Sequence, residues 1–240
     1  MILRLLGILY VVSLSFSCDS TEITSLVDNS NSGNIDSRSF NILSLGDSYT
    51  IGESVCEACS FPEQLKTKLE QNLDVDNNVN LDIIARTGWT TSDLILYLNT
   101  LELQNSYDIV TLLIGVNNQY QNGNFSLYEN EFPELVDKAI NYAQGNINKV
   151  VVISIPDYAF TPFGQNWNPN PQSISNEIEQ YNVFAETYCN EKGISFVYIT
   201  DISRLGLEQP ALVANDGLHP SKLAYSKFVE RILPVALEKL

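Results

Sequence analysis

The chain has 240 residues, of which 44% are apolar and 10% aromatic. That length allows one domain with a buried core, and that apolar content argues against a disordered chain. The formal net charge is −16, from 13 basic and 29 acidic residues. Because nucleic-acid binding requires clusters of basic residues, this balance argues against a nucleic-acid partner.

Residues 1–17 have the layout of an export signal, with one early positive charge at Arg4, an apolar run and then small residues. The run is shorter than a membrane span. Cys18 follows directly, and residues 14–18 resemble the lipobox of bacterial lipoproteins, although Phe16 is unusual in that motif. We therefore expect lipidation at Cys18 and membrane anchoring on the periplasmic or outer face. The alternative is a plain secretory signal, which would leave a periplasmic or secreted protein with an incidental Cys18.

Residues 18–39 are rich in Ser, Asn and Asp and lack a sustained hydrophobic period, which indicates a flexible tether. The domain is then expected over residues 40–240. Its three cysteines are Cys56, Cys59 and Cys189. Export would place them in an oxidising compartment, which favours a loop disulfide or free thiols, and the sequence leaves the pairing open. With a single histidine and so few cysteines, we expect no metal site.

From residue 40 onward, short apolar runs alternate with segments of helical period, which predicts an α/β fold. The predicted strands are 40–47, 79–88, 107–118, 149–157 and 194–200. The predicted helices are 61–73, 91–103, 127–143, 171–193 and 220–238. Thr91 or Ser92 is the expected cap of the second helix, and Pro234 is expected to bend or interrupt the last one.

Continuous apolar strands separated by helices predict a parallel sheet covered on both faces. Right-handed crossovers then give a three-layer α/β/α sandwich of five strands, with the flavodoxin-like order 2-1-3-4-5. In that order, ligands bind beyond the carboxyl ends of strands 1 and 3. The segments that follow these ends are therefore the candidate site.

Ser48 follows the first predicted strand, and His219 is the sole histidine of the chain. A serine hydroxyl becomes a nucleophile when a base removes its proton, and histidine suits that role near neutral pH. Asp216, three residues before His219, is placed to orient the imidazole. The backbone N–H groups of Ser48 and Gly88 and the amide of Asn117 are the candidate donors of an oxyanion hole.

Four segments resemble blocks I, II, III and V of the SGNH (GDSL) hydrolase family, with Ser48, Gly88, Asn117 and His219 at the four name-giving positions. The segments read LSLGDSYT, RTGWTTSDL, LLIGVNNQY and DGLHP. The resemblance covers residues 40–240 and suggests a lipoprotein-type bacterial member. It implies ester hydrolysis through an acyl-serine, without metal or cofactor, on small-molecule, glycan or lipid esters.

The chain departs from many family members at Asn118, where they have Asp, and we expect an effect on packing rather than on chemistry. Tyr49, Trp89, Phe160 and Phe163 are the predicted walls of the substrate pocket. Asp47 is expected to order its loop. The competing interpretation is a surface protein without catalytic activity that binds a glycan or lipid in the same crevice.

Overall fold

The computed structural model describes residues 38–74, 77–103 and 106–240. The predicted export signal, Cys18 and nearly all of the predicted tether lie outside these ranges. These features therefore stay predictions.

Five parallel strands form one sheet in the order β2-β1-β3-β4-β5. The predicted fold class and strand order are confirmed. Two of the inner strands, β3 and β4, are buried along their whole length and are apolar except for Thr111, as expected when both faces of a parallel sheet are covered. The strands are β1 (Ser39–Asp47), β2 (Asn78–Arg86), β3 (Ile109–Leu113), β4 (Val150–Ile153) and β5 (Ser195–Val197).

Helices cover both faces of the sheet. Helix α2 packs against α9, whereas α5 packs against α3 and α7. No helix in the described part of the chain is long and apolar enough to cross a membrane. The helices are α1 (Ser48–Ile51), α2 (Phe61–Asn72), α3 (Thr91–Leu98), α4 (Val116–Tyr120), α5 (Phe125–Tyr142), α6 (Pro162–Trp167), α7 (Pro171–Lys192), α8 (Thr200–Ser203) and α9 (Lys222–Leu237).

The register of the sheet brings three strand ends together. Asp47 at the end of β1 pairs with Arg86 of β2, and Gly46 pairs with Leu113 of β3. The segments that leave these strands therefore begin side by side at one edge. This is the edge at which the strand order predicts a ligand site.

Several predicted boundaries were wrong for local reasons. The third strand ends at Leu113 instead of continuing to residue 118, because Gly115 adopts a φ of 128° and the chain turns into α4. The cap of α3 is Thr90, whose hydroxyl accepts from the N–H of Asp93. Helix α9 continues past Pro234 to Leu237, so the expected interruption is absent.

The cysteine pairing that the sequence left open is resolved in the described domain. Cys56 and Cys59 form a disulfide, and Cys189 is a buried free thiol. Burial raises the pKa of the Cys189 thiol to about 12, with a further contribution from Glu186. Cys189 is therefore a packing residue of α7, and the disulfide closes a tight turn before α2.

Candidate active site

Ser48 is the first residue of α1 and follows directly on the buried end of β1. The preceding Asp47 is fully buried, and its carboxylate accepts a hydrogen bond from the N–H of Tyr49 at 3.0 Å. Burial raises the pKa of Asp47 to about 7, although the backbone donors act in the opposite direction. Asp47 thus caps the helix that presents Ser48, which agrees with its expected loop-ordering role.

Gly46 permits the close passage of β1 beside β3. A Cβ atom at this position would lie 2.3 Å from the carbonyl oxygen of Leu113 and 2.1 Å from Oγ1 of Thr50. Both distances are far inside van der Waals contact. The glycine before Asp47 is therefore required by packing between strands.

Gly88 lies in the turn after β2 with a φ of 84°, a conformation that favours glycine. Within the part of the chain that the structure describes, its N–H donates to no other group. Its carbonyl accepts from the side chain of Gln121 at 3.0 Å. The carbonyl of Gly88 thus anchors the turn, while the N–H of Gly88 remains available to donate to a bound ligand.

Asn117 lies on α4, and its amide Nδ2 donates to the carbonyl of Trp89 at 3.0 Å. A second, longer contact of 3.5 Å joins the same nitrogen to Oδ2 of Asp47. Asn117 therefore connects the end of β1 with the turn after β2. The 3.5 Å contact is weak, so the corresponding N–H can be redirected to another acceptor at little cost.

Asn118, the residue that departs from many family members, has a separate role in packing. It is buried, its Oδ1 accepts from the N–H of Thr91, and its Nδ2 donates to the Thr91 hydroxyl at 2.7 Å. These two bonds fix the start of α3 to α4. The sequence-based expectation of a packing effect at Asn118 agrees with this arrangement.

Asp216 and His219 share one turn after α8. Nδ1 of His219 lies 2.6 Å from Oδ2 of Asp216, while Oδ1 accepts from the N–H groups of Leu218 and His219. The hydroxyl of Ser54 also donates to Oδ2 at 2.6 Å. Partial burial raises the pKa of Asp216, but these hydrogen bonds outweigh it and lower the pKa to about 2. The carboxylate therefore stays ionised at neutral pH.

One cavity of about 260 Å³ brings the predicted groups together. Ser48, Gly88, Asn117 and His219 all line it, and Asp216 lies behind His219 at the other ring nitrogen. Among the hydrogen bonds of the described residues, none joins the Ser48 hydroxyl to the His219 ring. Hydrogen bonds between catalytic groups are often long or poorly aligned before substrate binds. The position of Ser48 and His219 in one cavity therefore supports their pairing even without a direct hydrogen bond.

The four predicted pocket walls separate into two groups. Tyr49 and Phe163 line the cavity, and the Tyr49 ring lies 5.5 Å from the His219 ring. Trp89 and Phe160 do not line it, and Trp89 packs instead on Tyr97 at 4.9 Å. Trp89 follows Gly88 in sequence, but the turn directs its ring away from the cavity.

Sequence reasoning missed Tyr120, Tyr158 and Leu218, which also line the cavity. Together with Tyr158 and Phe163, Tyr120 gives the cavity an aromatic wall. The Tyr120 ring lies 5.0 Å from that of Trp167, which is 54% exposed, so the aromatic cluster continues to the protein surface. Tyr120 is the last residue of the third segment, LLIGVNNQY. Its position beyond Asn117 was the one signal that could have indicated it.

Comparisons with known proteins agree with the fold and place the chain in a family. No curated protein sequence matches the chain, but the profile of the GDSL-like Lipase/Acylhydrolase family matches residues 44–227. The structure of TesA aligns with a TM-score of 0.63 and 16% identity, over 83% of this chain and 99% of that one.

Two esterase structures align with similar scores. An Axe2 variant, an acetyl xylan esterase from Geobacillus stearothermophilus, has a TM-score of 0.61 and 18% identity over 82% of this chain and 94% of its own. The psychrotrophic esterase EstA from Pseudoalteromonas sp. has a TM-score of 0.59 and 17% identity over 82% and 97%. At such identities, the alignments show the shared fold. The profile match covers most of the chain, which therefore belongs to the GDSL-like lipase/acylhydrolase family and is a carboxylic ester hydrolase.

Proposed function

We propose that the protein hydrolyses a carboxylic ester through an acyl-serine intermediate, with Ser48 as nucleophile, His219 as general base and acid, and Asp216 as the orienting carboxylate. The observation that carries the proposal is the common cavity, which Ser48 and His219 line together while Asp216 contacts the ring from behind. Each group thus has the neighbour that its role requires.

The hydrogen bond at one ring nitrogen of His219 determines which nitrogen can exchange a proton with Ser48. Because Nδ1 of His219 is bonded to Asp216, the other nitrogen, Nε2, is free to accept the proton of Ser48. The serine oxygen then attacks the ester carbonyl, and His219 returns the proton to the departing alcohol. Water repeats the two steps on the acyl-serine, which releases the acid and restores Ser48.

The negatively charged oxygen of the tetrahedral intermediate requires hydrogen-bond donors in the cavity beside Ser48. The Gly88 N–H, which is free in the described chain, is the first, and the Ser48 N–H is the second. The Asn117 amide is the third, since its long contact with Asp47 can be exchanged for one with the intermediate. All three residues line the cavity that also holds His219, which supports their assignment as donors to the oxyanion.

The volume and lining of the cavity favour a small acyl group. Sites for drug-sized ligands usually enclose about 300–1,000 Å³, and this cavity encloses about 260 Å³. Its walls include the rings of Tyr120, Tyr158 and Phe163. We therefore infer that esters of short acids are preferred over long-chain lipids, with a small-molecule or glycan alcohol.

The test is hydrolysis of p-nitrophenyl esters of increasing acyl length by the purified protein. We expect activity on the acetate and butyrate esters, and a loss of about 10⁴-fold or more in kcat for Ser48→Ala. Ser126→Ala removes an exposed hydroxyl at the start of α5 and is the matched control. Unchanged turnover in Ser48→Ala would refute the assignment.

A fluorophosphonate probe separates catalysis from the alternative of simple binding. An activated Ser48 reacts covalently with the probe, whereas a protein that only binds glycan or lipid does not. We expect one label per molecule in the wild type and none in Ser48→Ala. Absence of labelling together with retained ligand binding would favour the binding protein.

We further propose that the protein is an exported lipoprotein anchored through Cys18, on the sequence pattern of residues 1–18. Cells grown with a labelled fatty acid should incorporate the label into the wild type and not into Cys18→Ser. Equal labelling of the two would contradict the anchor. A wild type that is exported without label would favour the alternative of a plain secretory signal.

A further inference from the structure

Ser54 combines an unusual backbone conformation with a contact to the proposed acid–base pair. It has a φ of 66°, one of three positive values among non-glycine residues in the described chain. Its hydroxyl donates to Oδ2 of Asp216 at 2.6 Å, the same oxygen that faces Nδ1 of His219. Serine rarely adopts this conformation, so an observed case calls for a reason in the surrounding structure.

The backbone just before Ser54 is fixed to the segment that carries the proposed nucleophile. The N–H groups of Gly52 and Glu53 both donate to the carbonyl of Ser48, at 3.1 and 3.0 Å. Gly52 itself is left-handed, with a φ of 78°, and ends α1. The position of Ser54 is therefore set by α1, the same helix that begins with Ser48.

The same segment also contacts the turn that carries Gly88. The hydroxyl of Thr87, the residue before Gly88, donates to the carboxylate of Glu53. Residues 52–54 thus touch Ser48 through the backbone, Thr87 through Glu53, and Asp216 through Ser54. Asp216 and His219 lie more than 160 positions later in the chain, so their alignment with Ser48 depends on contacts of this kind.

We propose that Ser54 is a positioning residue for the reaction, whose hydroxyl holds the Asp216–His219 pair in register with Ser48. The proposal rests on the proposed function of those three residues. Ser54 touches neither the cavity nor the reacting atoms, and it acts through the carboxylate. The Ser54 hydroxyl occupies one lone pair of Oδ2 and so restricts rotation of the Asp216 carboxylate. Because the same oxygen contacts Nδ1, this also restricts the orientation of the His219 ring.

Two substitutions at position 54 separate the hydroxyl from the backbone. Ser54→Gly removes the donor but suits a positive φ, so the relief of the backbone should offset the lost hydrogen bond and the melting temperature should change little. Ser54→Thr keeps the donor, but its branched side chain suits this conformation poorly, so the melting temperature should fall. The proposal predicts that kcat follows the hydroxyl, while the melting temperature follows the backbone.

We expect Ser54→Gly to lower kcat on a p-nitrophenyl ester by about 3- to 10-fold with little change in KM, as suits one hydrogen bond to a carboxylate. Ser54→Thr should retain most of kcat. The matched control is Gln144→Gly, at an exposed position with a φ of 62°, in the turn between α5 and β4. It should leave kcat unchanged.

The single histidine supplies a second readout that is independent of turnover. In protein labelled with ¹⁵N-histidine, the ring signals belong to His219 alone. The Nδ1 resonance and its proton should move in Ser54→Gly and stay in place in Ser54→Thr and Gln144→Gly. A purely structural role of the loop would not move these signals in a variant that folds normally.

The possible results have distinct meanings. Wild-type kcat in Ser54→Gly overturns the positioning role and leaves the proposed function intact. An equal loss of kcat in Ser54→Gly and Ser54→Thr also overturns it, because the effect would then follow the substitution and not the hydroxyl. Failure of the proposed function is recognised separately, since Ser48→Ala would then hydrolyse the ester as fast as the wild type.

Discussion

Nδ1 of His219 lies 2.6 Å from Oδ2 of Asp216, and only three positions separate the two residues in the chain. The carboxylate accepts further hydrogen bonds from Ser54 and from two backbone N–H groups, so its pKa is lowered to about 2 despite partial burial. It is therefore a fixed negative partner for the histidine ring throughout the neutral range.

Substitution of Asp216 tests whether this contact sets the tautomer of His219. Asp216→Asn keeps the shape but lets the amide donate to Nδ1, which favours the ring form with its proton on Nε2. We expect kcat on a p-nitrophenyl ester to fall by about 10⁴-fold, as in other enzymes of this arrangement. Circular dichroism should show an unchanged fold. An activity within tenfold of the wild type would contradict the orienting role.

Asn117 and Asn118 are adjacent residues of the same type, and the structure assigns them different tasks. Asn117→Ala removes a proposed oxyanion donor, so kcat should fall by about 10²–10³-fold with the melting temperature little changed. Asn118→Ala leaves the buried N–H of Thr91 without a partner, which should cost about 1–3 kcal/mol of stability. The two variants should be compared by ester hydrolysis and by urea denaturation. Interchanged effects would contradict both assignments.

The buried carboxyl of Asp47 predicts a particular dependence of stability on pH. Its pKa is raised to about 7 in the folded protein, from an ordinary value of 3.8. Between these values the folded protein keeps a proton that the unfolded chain has lost, so stability should decrease as pH rises from about 4 to about 7. Above pH 7 this contribution is constant.

Asp47→Asn removes that titration while keeping an acceptor for the N–H of Tyr49. The free energy of unfolding should be measured by urea titration at several pH values from 5 to 8. The wild type should lose stability relative to the variant between pH 5 and about pH 7, and the difference should stay constant above that. Asp216 does not interfere, because its lowered pKa affects stability only in more acidic solution. Parallel curves for the two proteins would contradict the raised pKa of Asp47.

The disulfide between Cys56 and Cys59 should contribute modestly to stability. The bridged residues are three positions apart. Closing so short a loop removes little entropy from the unfolded chain, about 2 kcal/mol in the chain-entropy description. The double variant Cys56→Ser, Cys59→Ser should show this decrease in urea denaturation, and the wild type in dithiothreitol should match it. A wild type unaffected by the reductant, with the bond shown to be reduced, would contradict the estimate.

The sequence predicted the sheet well because the signal for buried parallel strands is strong. The runs at β3 and β4 are fully buried and, apart from Thr111, apolar, and the strand order followed from the rules for crossover connections. Ser48, Gly88, Asn117 and His219 could be located because each follows a strand end or lies in a short motif. All four line the same cavity.

Side-chain direction in the loops could not be predicted in the same way. Trp89 follows Gly88, but its ring packs on Tyr97 instead of lining the cavity, and no periodic pattern encodes the direction of a side chain in a turn. The role proposed for Ser54 could not be predicted, because an exposed serine in a loop has no distinguishing sequence pattern. Its contact with Asp216 joins residues 162 positions apart, so it depends on the tertiary arrangement of the two loops.

The turn that carries Asp216 and His219 is closed on itself. Val213 pairs with Pro220 as an isolated bridge, and the N–H of Ala214 donates to the carbonyl of His219 at 2.8 Å. Asp216 and His219 are consequently held together within one closed turn. In the proposed mechanism, the placement of this closed turn relative to the end of β1 then sets both the distance and the tilt of the His219 ring toward Ser48.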